Sequence, residues 1–206
     1  MNLLREPNRL GDVLKYEAPN HYSREECVLA QGQALKLGTV VGKRTKEEIQ
    51  ASEPDILEDL RLGLSALPGE YRLIADSAES FHVITPQGFP LAPSKVDEPY
   101  DNGHFALRLK KREEPYEQGK ILSLMVRGSN TLAPFNPLGE NGTERPVGVL
   151  LHDCDATAKD TKAVIITRHA IVSDKGLVWP EAITEAQKQE AIFCLQSRGI
   201  LIRQGV

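Results

Sequence analysis

Apolar and polar residues alternate along most of this chain, and alternation with a period of two is the pattern of β-strands. The alternating runs are short and are separated by turn-forming Gly, Pro and Asn residues. They lie at residues 26–30, 35–42, 60–64, 70–75, 80–85, 104–110, 120–127 and 147–152. Residues 163–172 are apolar almost throughout, as a buried strand is, whereas residues 56–62 also suit a helical turn. The chain is therefore predicted to be mainly β.

One segment near the C-terminus has the features of a helix instead. Thr184 and Gln187 have the spacing of a capping box, and residues 185–198 contain strong helix formers and no breaker. Gly199 follows where a left-handed residue would end the helix. One face of the helix is apolar and should be buried: Ala191, Ile192 and Leu195. We predict one short C-terminal helix, followed by a strand at residues 200–202.

The first 20 residues lack a sustained period, and Pro7, Gly11 and Pro19 oppose a stable helix. We interpret residues 1–20 as an N-terminal arm that is mobile in the free protein and has no core of its own. A frayed terminus is the open alternative. The apolar anchors of the arm would be Leu3, Leu4, Leu10, Val13, Leu14 and Tyr16.

The remaining chain divides into two regions. Strands recur at short intervals over residues 54–130, as in a small β-sandwich or barrel, and this region is predicted to be an inserted β domain. Residues 21–50 and 134–206 would form one discontinuous core domain around it. Two stretches would connect the core domain to the insert. The polar stretch 43–53 is interpreted as a connector, and the Pro-, Gly- and Asn-rich stretch 131–146 as a long loop.

Composition and charge limit the partners and the cellular location that the sequence predicts. The 206 residues carry a formal net charge of -4, which gives no reason to expect a nucleic-acid partner. No apolar run is long enough to span a membrane, and Met1–Leu10 does not resemble a secretory signal. Three scattered cysteines favour a reducing compartment with free thiols.

Candidate chemistry is sparse. The run His152-Asp-Cys-Asp155 offers four possible metal ligands, but neighbouring residues of a strand point to opposite faces, and no second ligand pair completes a zinc set. No nucleophile motif and no phosphate-binding loop is present. We therefore expect no catalytic residues, no metal and no cofactor, and a protein that is not an enzyme.

Several stretches, in this order and spacing, resemble the bacteriophage head decoration protein family, whose members are related to the decoration protein of phage lambda. They are Tyr-Ser-Arg-Glu at 22–25 with Leu-Gly-Thr-Val-Val-Gly-Lys at 37–43, the Gly-Val-Leu-Leu…Asp-Ala-Thr segment at 148–157, the apolar strand at 163–172 with its central Arg, and the ending at 176–203. That ending has a Leu-Val-Trp-Pro unit, a helix rich in Ala, Gln and Lys, and an Arg-Gly-Ile strand.

The resemblance implies a small β-barrel or β-tulip-like core with a β-sandwich-like insert. It also implies a homotrimer that binds the major capsid protein on the outer surface of a phage head and cements the mature shell. Such a protein would be made in the host cytoplasm and carried by the virion, with no direct contact to nucleic acid or membrane. The arm, through Leu10, Val13, Leu14 and Tyr16, would add a strand to an exposed capsid edge.

Two assignments stay open. Trp179, with Pro180 directly after it, belongs either to the protomer core or to the trimer contact. The alternative function is a virion-surface module in which the insert recognises glycans or host molecules. Its aromatic residues could supply such a site or could fill the core: Tyr71, Phe81, Phe89, Tyr100 and Phe105.

Overall fold

The mainly β architecture is confirmed in the computed structural model of the chain, which describes residues 8–204. The helices are α1 (Leu10–Val13) and α2 (Glu185–Ser197), and 3-10 turns lie at Pro19–His21, Pro54–Ile56 and Asp174–Gly176. The strands are β1 (Leu14–Glu17), β2 (Arg24–Leu29), β3 (Ala34–Leu35), β4 (Val40–Lys43), β5 (Glu48–Ala51), β6 (Leu57–Leu62), β7 (Gly69–Ala75), β8 (Ser80–Ile84), β9 (Pro90–Lys95), β10 (Pro99–Asp101), β11 (Phe105–Leu109), β12 (Ile121–Arg127), β13 (Leu132–Pro134), β14 (Pro146–Leu150), β15 (Cys154–Asp155), β16 (Thr161–Ile166), β17 (Ala170–Ser173) and β18 (Ile200–Arg203).

These elements form two compact units. The core unit comprises residues 8–44 and 130–204 of the described chain, and the insert unit comprises Thr45–Ser129. Each unit has a separate apolar interior.

Five strands of the core unit pair in the ring β13-β2-β16-β14-β4. The joint between β13 and β2 is a single parallel pair, Leu132 opposite Leu29, so the barrel is barely closed at that point. Apolar side chains that alternate along these strands fill its interior, including Leu29, Val41, Leu132, Leu150 and Ile165. The core unit is thus a small barrel-like β structure.

A three-stranded sheet, β1-β17-β18, and helix α2 cover a second apolar cluster of the core unit. The helix forms as predicted: the Thr184 Oγ1 accepts from the Gln187 amide at 3.3 Å, and the Gln187 side chain accepts from the Thr184 amide at 3.0 Å. Gly199 has a φ of +77°, the left-handed conformation that ends the helix. Ala191 and Leu195 are buried, which fixes the inward face of α2.

The prediction of one continuous strand at residues 163–172 is wrong. The segment is broken at Thr167–His169 into β16, in the barrel, and β17, in the three-stranded sheet. His169 has a φ of 44°, and this left-handed residue lets the chain change sheets. Apolar character alone cannot reveal such a break because both halves are buried.

The prediction of an N-terminal arm without packed partners is wrong for residues 8–20. Leu14–Glu17 pairs antiparallel with β17, and Val13 is completely buried in the cluster beneath that sheet. Gly176 makes room for this segment, because a Cβ atom there would lie 2.6 Å from the Asp12 carbonyl oxygen. The anchors Leu3 and Leu4 lie outside the described residues.

The insert unit contains a five-stranded sheet, β5-β12-β7-β8-β9, and a three-stranded sheet, β10-β11-β6. Both sheets contribute side chains to one apolar interior, as in a sandwich, including Tyr71, Leu73, Phe81, Phe105 and Leu122. Residues 57–62 form a strand, preceded by a 3-10 turn, rather than a helical turn.

The chain segments that connect the two units have more strand structure than the sequence predicted. The stretch 43–53 is not a simple connector, because β5 within it pairs with β12 of the insert unit. The insert unit therefore begins at Thr45 rather than at residue 54. Likewise β13, which lies in the stretch interpreted as a loop, pairs with β4 of the barrel. Both strands are short and lie in polar or Pro-rich stretches with a weak local strand pattern. They form because strands distant in the chain pair with them.

Candidate interaction surfaces

An apolar row crosses the outer face of the three-stranded sheet in the core unit. Tyr16 of β1 lies opposite Ile171 of β17, and Ile171 lies beside Leu201 of β18. Tyr16 is 54% exposed and Leu201 is 36% exposed. With Tyr22 and His169 these side chains line an open depression of about 430 Å³. Large apolar side chains in contact on an exposed face mark an interaction surface.

A β-bulge in β1 creates this row. The register shifts between Leu14 and Tyr16, so Leu14 pairs with Val172 and Tyr16 pairs with Ile171. In a regular strand two residues at this spacing share a face. Here Leu14 packs into the core, whereas Tyr16 points outward, and a bulge re-aims side chains in this way.

β1 is the edge strand of its sheet, and within residues 8–204 it pairs only with β17. Its end is fixed by Glu17, whose carboxylate accepts two hydrogen bonds of 2.7 Å from the Arg24 guanidinium. These bonds hold the pKa of Glu17 below its usual value. The ion pair between Glu17 and Arg24 thus keeps β1 ordered. The exposed backbone of an ordered edge strand is a site where another strand can pair.

The four arm residues named from the sequence therefore do not form one contact surface. Val13 is buried, and Leu14 packs against the same cluster from a half-buried position. Leu10 is 39% exposed and Tyr16 is the most accessible of the four. Tyr22, Ile171 and Leu201 were missed from the sequence. Alternation in β18 could have placed Leu201 opposite to Ile200 and Ile202, but its neighbours across the sheet could not have been inferred.

Trp179 and Pro180 lie half-buried along a groove of the core unit with a volume of about 270 Å³. The Trp179 ring packs edge-on against Phe135 at a centroid distance of 6.4 Å, and the Lys188 ammonium lies 5.6 Å from its centroid. Lys188 also bonds to Asp174 at 3.0 Å. These contacts join helix α2 to the Trp-Pro segment, so Trp179 is both part of the packing and partly accessible.

A further apolar surface lies beside helix α2. Phe193 on the helix is 72% exposed, and Leu138 in the loop before β14 is 78% exposed. Phe193 and Pro137 line a groove of about 490 Å³ together with Phe135 and Pro146. Exposed side chains of this size at a groove are candidates for contact with another protein surface.

Most aromatic residues of the insert unit fill its core. Tyr71, Phe81, Tyr100 and Phe105 are buried, and Phe89 is 68% exposed. A cleft of about 640 Å³ in this unit is lined by mixed charges, among them Lys95, Asp97 and Arg112. Of the five aromatic residues considered for glycan recognition, Phe89 remains accessible.

Each polar member of the 152–155 run has a structural partner. The Asp153 carboxylate accepts from the Leu37 amide at 2.9 Å and pairs with Lys36, which together lower the pKa of Asp153. His152 Nε2 accepts from the Val164 amide at 3.2 Å. The Cys154 thiol is buried, and burial raises its pKa. Asp155 caps its own turn by accepting from Thr157.

Residues 8–204 contain no group of three or more His, Cys, Asp or Glu side chains arranged to hold a metal ion. Among the helices of this part of the chain, none is long and apolar enough to cross a lipid bilayer.

Fold and surfaces together define a β-rich protein whose candidate sites are exposed apolar surfaces and an ordered edge strand. The sequence model of the family described as Bacteriophage lambda head decoration protein D matches residues 3–200. The chain therefore belongs to this family, which confirms the resemblance, and its role is phage capsid decoration. The family is one of structural capsid proteins rather than of known enzymes.

Other comparisons add little. A search of curated proteins gives no match. A crystal structure of Xanthomonas campestris FlgL aligns with a TM-score of 0.30 and 12% sequence identity, over 45% of this chain and 32% of that chain. The matched part thus spans about a third of FlgL, and a likeness this low supports no conclusion about fold or function.

Proposed function

We propose that this protein binds the outer surface of a phage head as a homotrimer and stabilises the mature shell through contacts with the major capsid protein. Family membership supports capsid association. The observation that carries the finer proposal is the ordered edge strand β1, with Tyr16 exposed on its outer face. It combines unpaired backbone groups with an apolar anchor, as strand addition requires.

The capsid contact uses the open edge of β1 and the row formed by Tyr16, Ile171 and Leu201. A strand of the capsid subunit pairs with that edge, and an apolar side chain from it covers Tyr16. Because Glu17 and Arg24 already hold β1 in place, binding does not require this strand to fold. Preorganisation lowers the entropic cost of association.

The trimer contact uses the exposed surface beside α2. Phe193 and Leu138 project from the core unit, and a trimer would bury them against a neighbouring copy. Three copies joined in this way present three edge strands to the shell. Because the three contacts act together, each can have a low affinity while the trimer as a whole binds the shell tightly. Such binding would cement neighbouring capsid subunits.

The location follows from this role. The protein is made in the host cytoplasm and resides on the outside of the virion, with the capsid wall between it and the genome. Its net charge of -4 is consistent with a function that needs no nucleic-acid contact.

Mixing the purified protein with undecorated mature capsids and imaging them by electron cryomicroscopy tests the proposal. We expect threefold-symmetric density on the outer surface, with β1 against the shell, and a higher temperature of capsid rupture. Capsids that stay bare, or density on the inner surface, would reject it. Binding without a rise in rupture temperature would reject the stabilising role alone.

A further inference from the structure

The cleft of about 640 Å³ in the insert unit lies where three loops meet. The loops connect β7 to β8, β9 to β10 and β11 to β12. Small-molecule sites commonly have a volume in this range, and binding residues concentrate on loops that a rigid scaffold positions. The cleft is therefore a candidate ligand site, and it uses none of the residues assigned above to the capsid and trimer contacts.

Backbone hydrogen bonds between the loops hold the cleft in shape. The Val96 amide donates to the Glu79 carbonyl at 2.9 Å, which joins the first loop to the second. The Asp97 amide donates to the Leu109 carbonyl at 2.8 Å, which joins the second loop to the end of β11, where the third loop begins. A ligand therefore meets a preformed site, and preorganisation lowers the entropic cost of binding.

The third loop is anchored by Tyr116. Its hydroxyl donates to the Lys110 carbonyl at 2.7 Å, and its ring packs edge-on against Phe81 at a centroid distance of 5.1 Å. The Arg112 guanidinium lies 5.6 Å from the centroid of the same ring. Because Tyr116 is buried and Arg112 is exposed, the ring supports the guanidinium on one side and leaves its N–H groups open to a ligand.

The charged side chains of the cleft do not all neutralise one another. Two pairs do so: Lys95 with Glu98 at 3.7 Å, and Arg108 with Asp97 at 3.8 Å. The Lys111 ammonium and the Glu79 carboxylate also line the cleft, and neither has an ion-pair partner among residues 8–204. Together with Arg112, the cleft thus offers two cations and one carboxylate to a ligand.

This set of groups matches a sugar that carries an acid. A sugar hydroxyl donates to a carboxylate such as that of Glu79 and accepts from a cation such as Lys111. The excess of one cation favours a ligand with a negative charge, and a guanidinium binds a carboxylate through two parallel hydrogen bonds. Apolar side chains of the lining can cover the C–H groups of a sugar ring: Ala78, Val96 and Pro115.

We propose that this cleft binds an acidic saccharide, with Lys111 and Arg112 on its carboxylate and Glu79 on its hydroxyls. An acidic peptide is matched less well. An extended peptide binds best along a strand edge, whereas this lining consists of loop residues and the strand ends Ser80 and Lys95.

Isothermal titration calorimetry of the full-length protein tests the proposal with tetramers of galacturonic acid, of sialic acid and of glucose. We expect at least one acidic tetramer to bind at least tenfold more tightly than the glucose tetramer. K111S/R112S should weaken that binding at least tenfold. R72S/R127S removes two exposed cations of the insert unit that do not line the cleft, and it should bind as the unchanged protein does.

The absence of binding by both acidic tetramers at millimolar concentration would overturn the proposal, as would equal affinity for the glucose tetramer. An equal loss in K111S/R112S and R72S/R127S would show a general charge effect and also overturn it. A tetraglutamate peptide that binds as tightly as the acidic tetramers would assign the cleft to acidic peptides, with the same consequence. If K111S/R112S does not fold, as judged by circular dichroism, the comparison between K111S and R72S decides.

Discussion

Leu14 and Tyr16 are two residues apart on β1 and face opposite sides of the sheet, because a bulge between them shifts the register by one residue. Leu14 packs inward, and Tyr16 is 54% exposed beside Ile171. This arrangement separates the part of the N-terminal segment that holds the fold from the part that is free to bind.

We expect Tyr16→Ser to weaken capsid binding at least tenfold, which corresponds to about 1.4 kcal/mol. The reason is that the substitution removes an exposed anchor of the proposed capsid contact. Thermal unfolding should stay unchanged, because Tyr16 contributes little to the core. Lys15→Ser, at the adjacent exposed position, is the matched control. Capsid occupancy by Tyr16→Ser equal to that of the control would contradict the assignment.

Val13→Ala should destabilise the core unit by about 2 kcal/mol, because Val13 is completely buried against the cluster below β17. Leu10→Ala, at a position 39% exposed, should change stability by less than about 0.5 kcal/mol. Urea unfolding measures both. Removal of residues 1–18, which the sequence alone suggests to be harmless, should destabilise the protein because it deletes Val13 and β1. Similar midpoints for all variants would show that the segment does not support the fold.

The two ends of the insert unit leave the core unit side by side, since the Asn130 amide donates to the Arg44 carbonyl at 2.9 Å. Replacing Thr45–Ser129 by a short Gly-Ser linker should therefore leave a folded core unit. Arg44 and Asn130 are so close that a short linker can join them without straining the core unit. Far-ultraviolet circular dichroism and light scattering would check folding and trimer formation. A core that aggregates or stays unfolded would show that it depends on the insert.

The insert unit should lose stability as the pH falls below about 6.5. Burial, and to a lesser extent Lys46, lowers the pKa of His104. The Tyr71 hydroxyl accepts from the Leu67 amide at 2.8 Å and lies 2.9 Å from His104 Nδ1. It can donate to that nitrogen only while the nitrogen carries no proton.

The direction in which stability changes with pH follows from the number of protons bound by the folded and unfolded states. The unfolded chain protonates His104 near its ordinary pKa, whereas the folded unit resists until lower pH, so the unfolded state binds more protons. This stability is complete above about pH 6.5 and is lost as the pH falls towards the lowered pKa. Calorimetry between about pH 7.5 and pH 5.5 should show a falling unfolding temperature that is flatter in His104→Gln. His21→Asn, which changes a side chain that is 74% exposed, should leave the slope as it is. An equal slope in His104→Gln would exclude His104 as the cause.

Phe193→Ser should shift the protein from trimer towards monomer, because it removes the most exposed aromatic side chain of α2 from the proposed trimer contact. Multi-angle light scattering over a dilution series measures this shift. Gln196→Ser, also exposed on α2, should leave the trimer intact. Equal masses for both variants would move the trimer contact away from α2.

The sequence by itself determined the elements whose signals are local. Helix α2 follows from Thr184, Gln187 and Gly199, because capping and left-handed termination depend on residues within one turn. Most strands of the insert unit follow from alternation, and the family follows from motifs in a fixed order.

Only the tertiary structure decided what depends on distant neighbours. β5 and β13 exist because β12 and β4 pair with them, and residues 163–172 divide because His169 adopts a left-handed conformation between two sheets. The bulge that turns Tyr16 outward, and the neighbours that place Ile171 and Leu201 beside it, are equally invisible in the local pattern. Pairing across a sheet is set by which strands meet in space, and that depends on burial over the whole unit rather than on the residues of one strand.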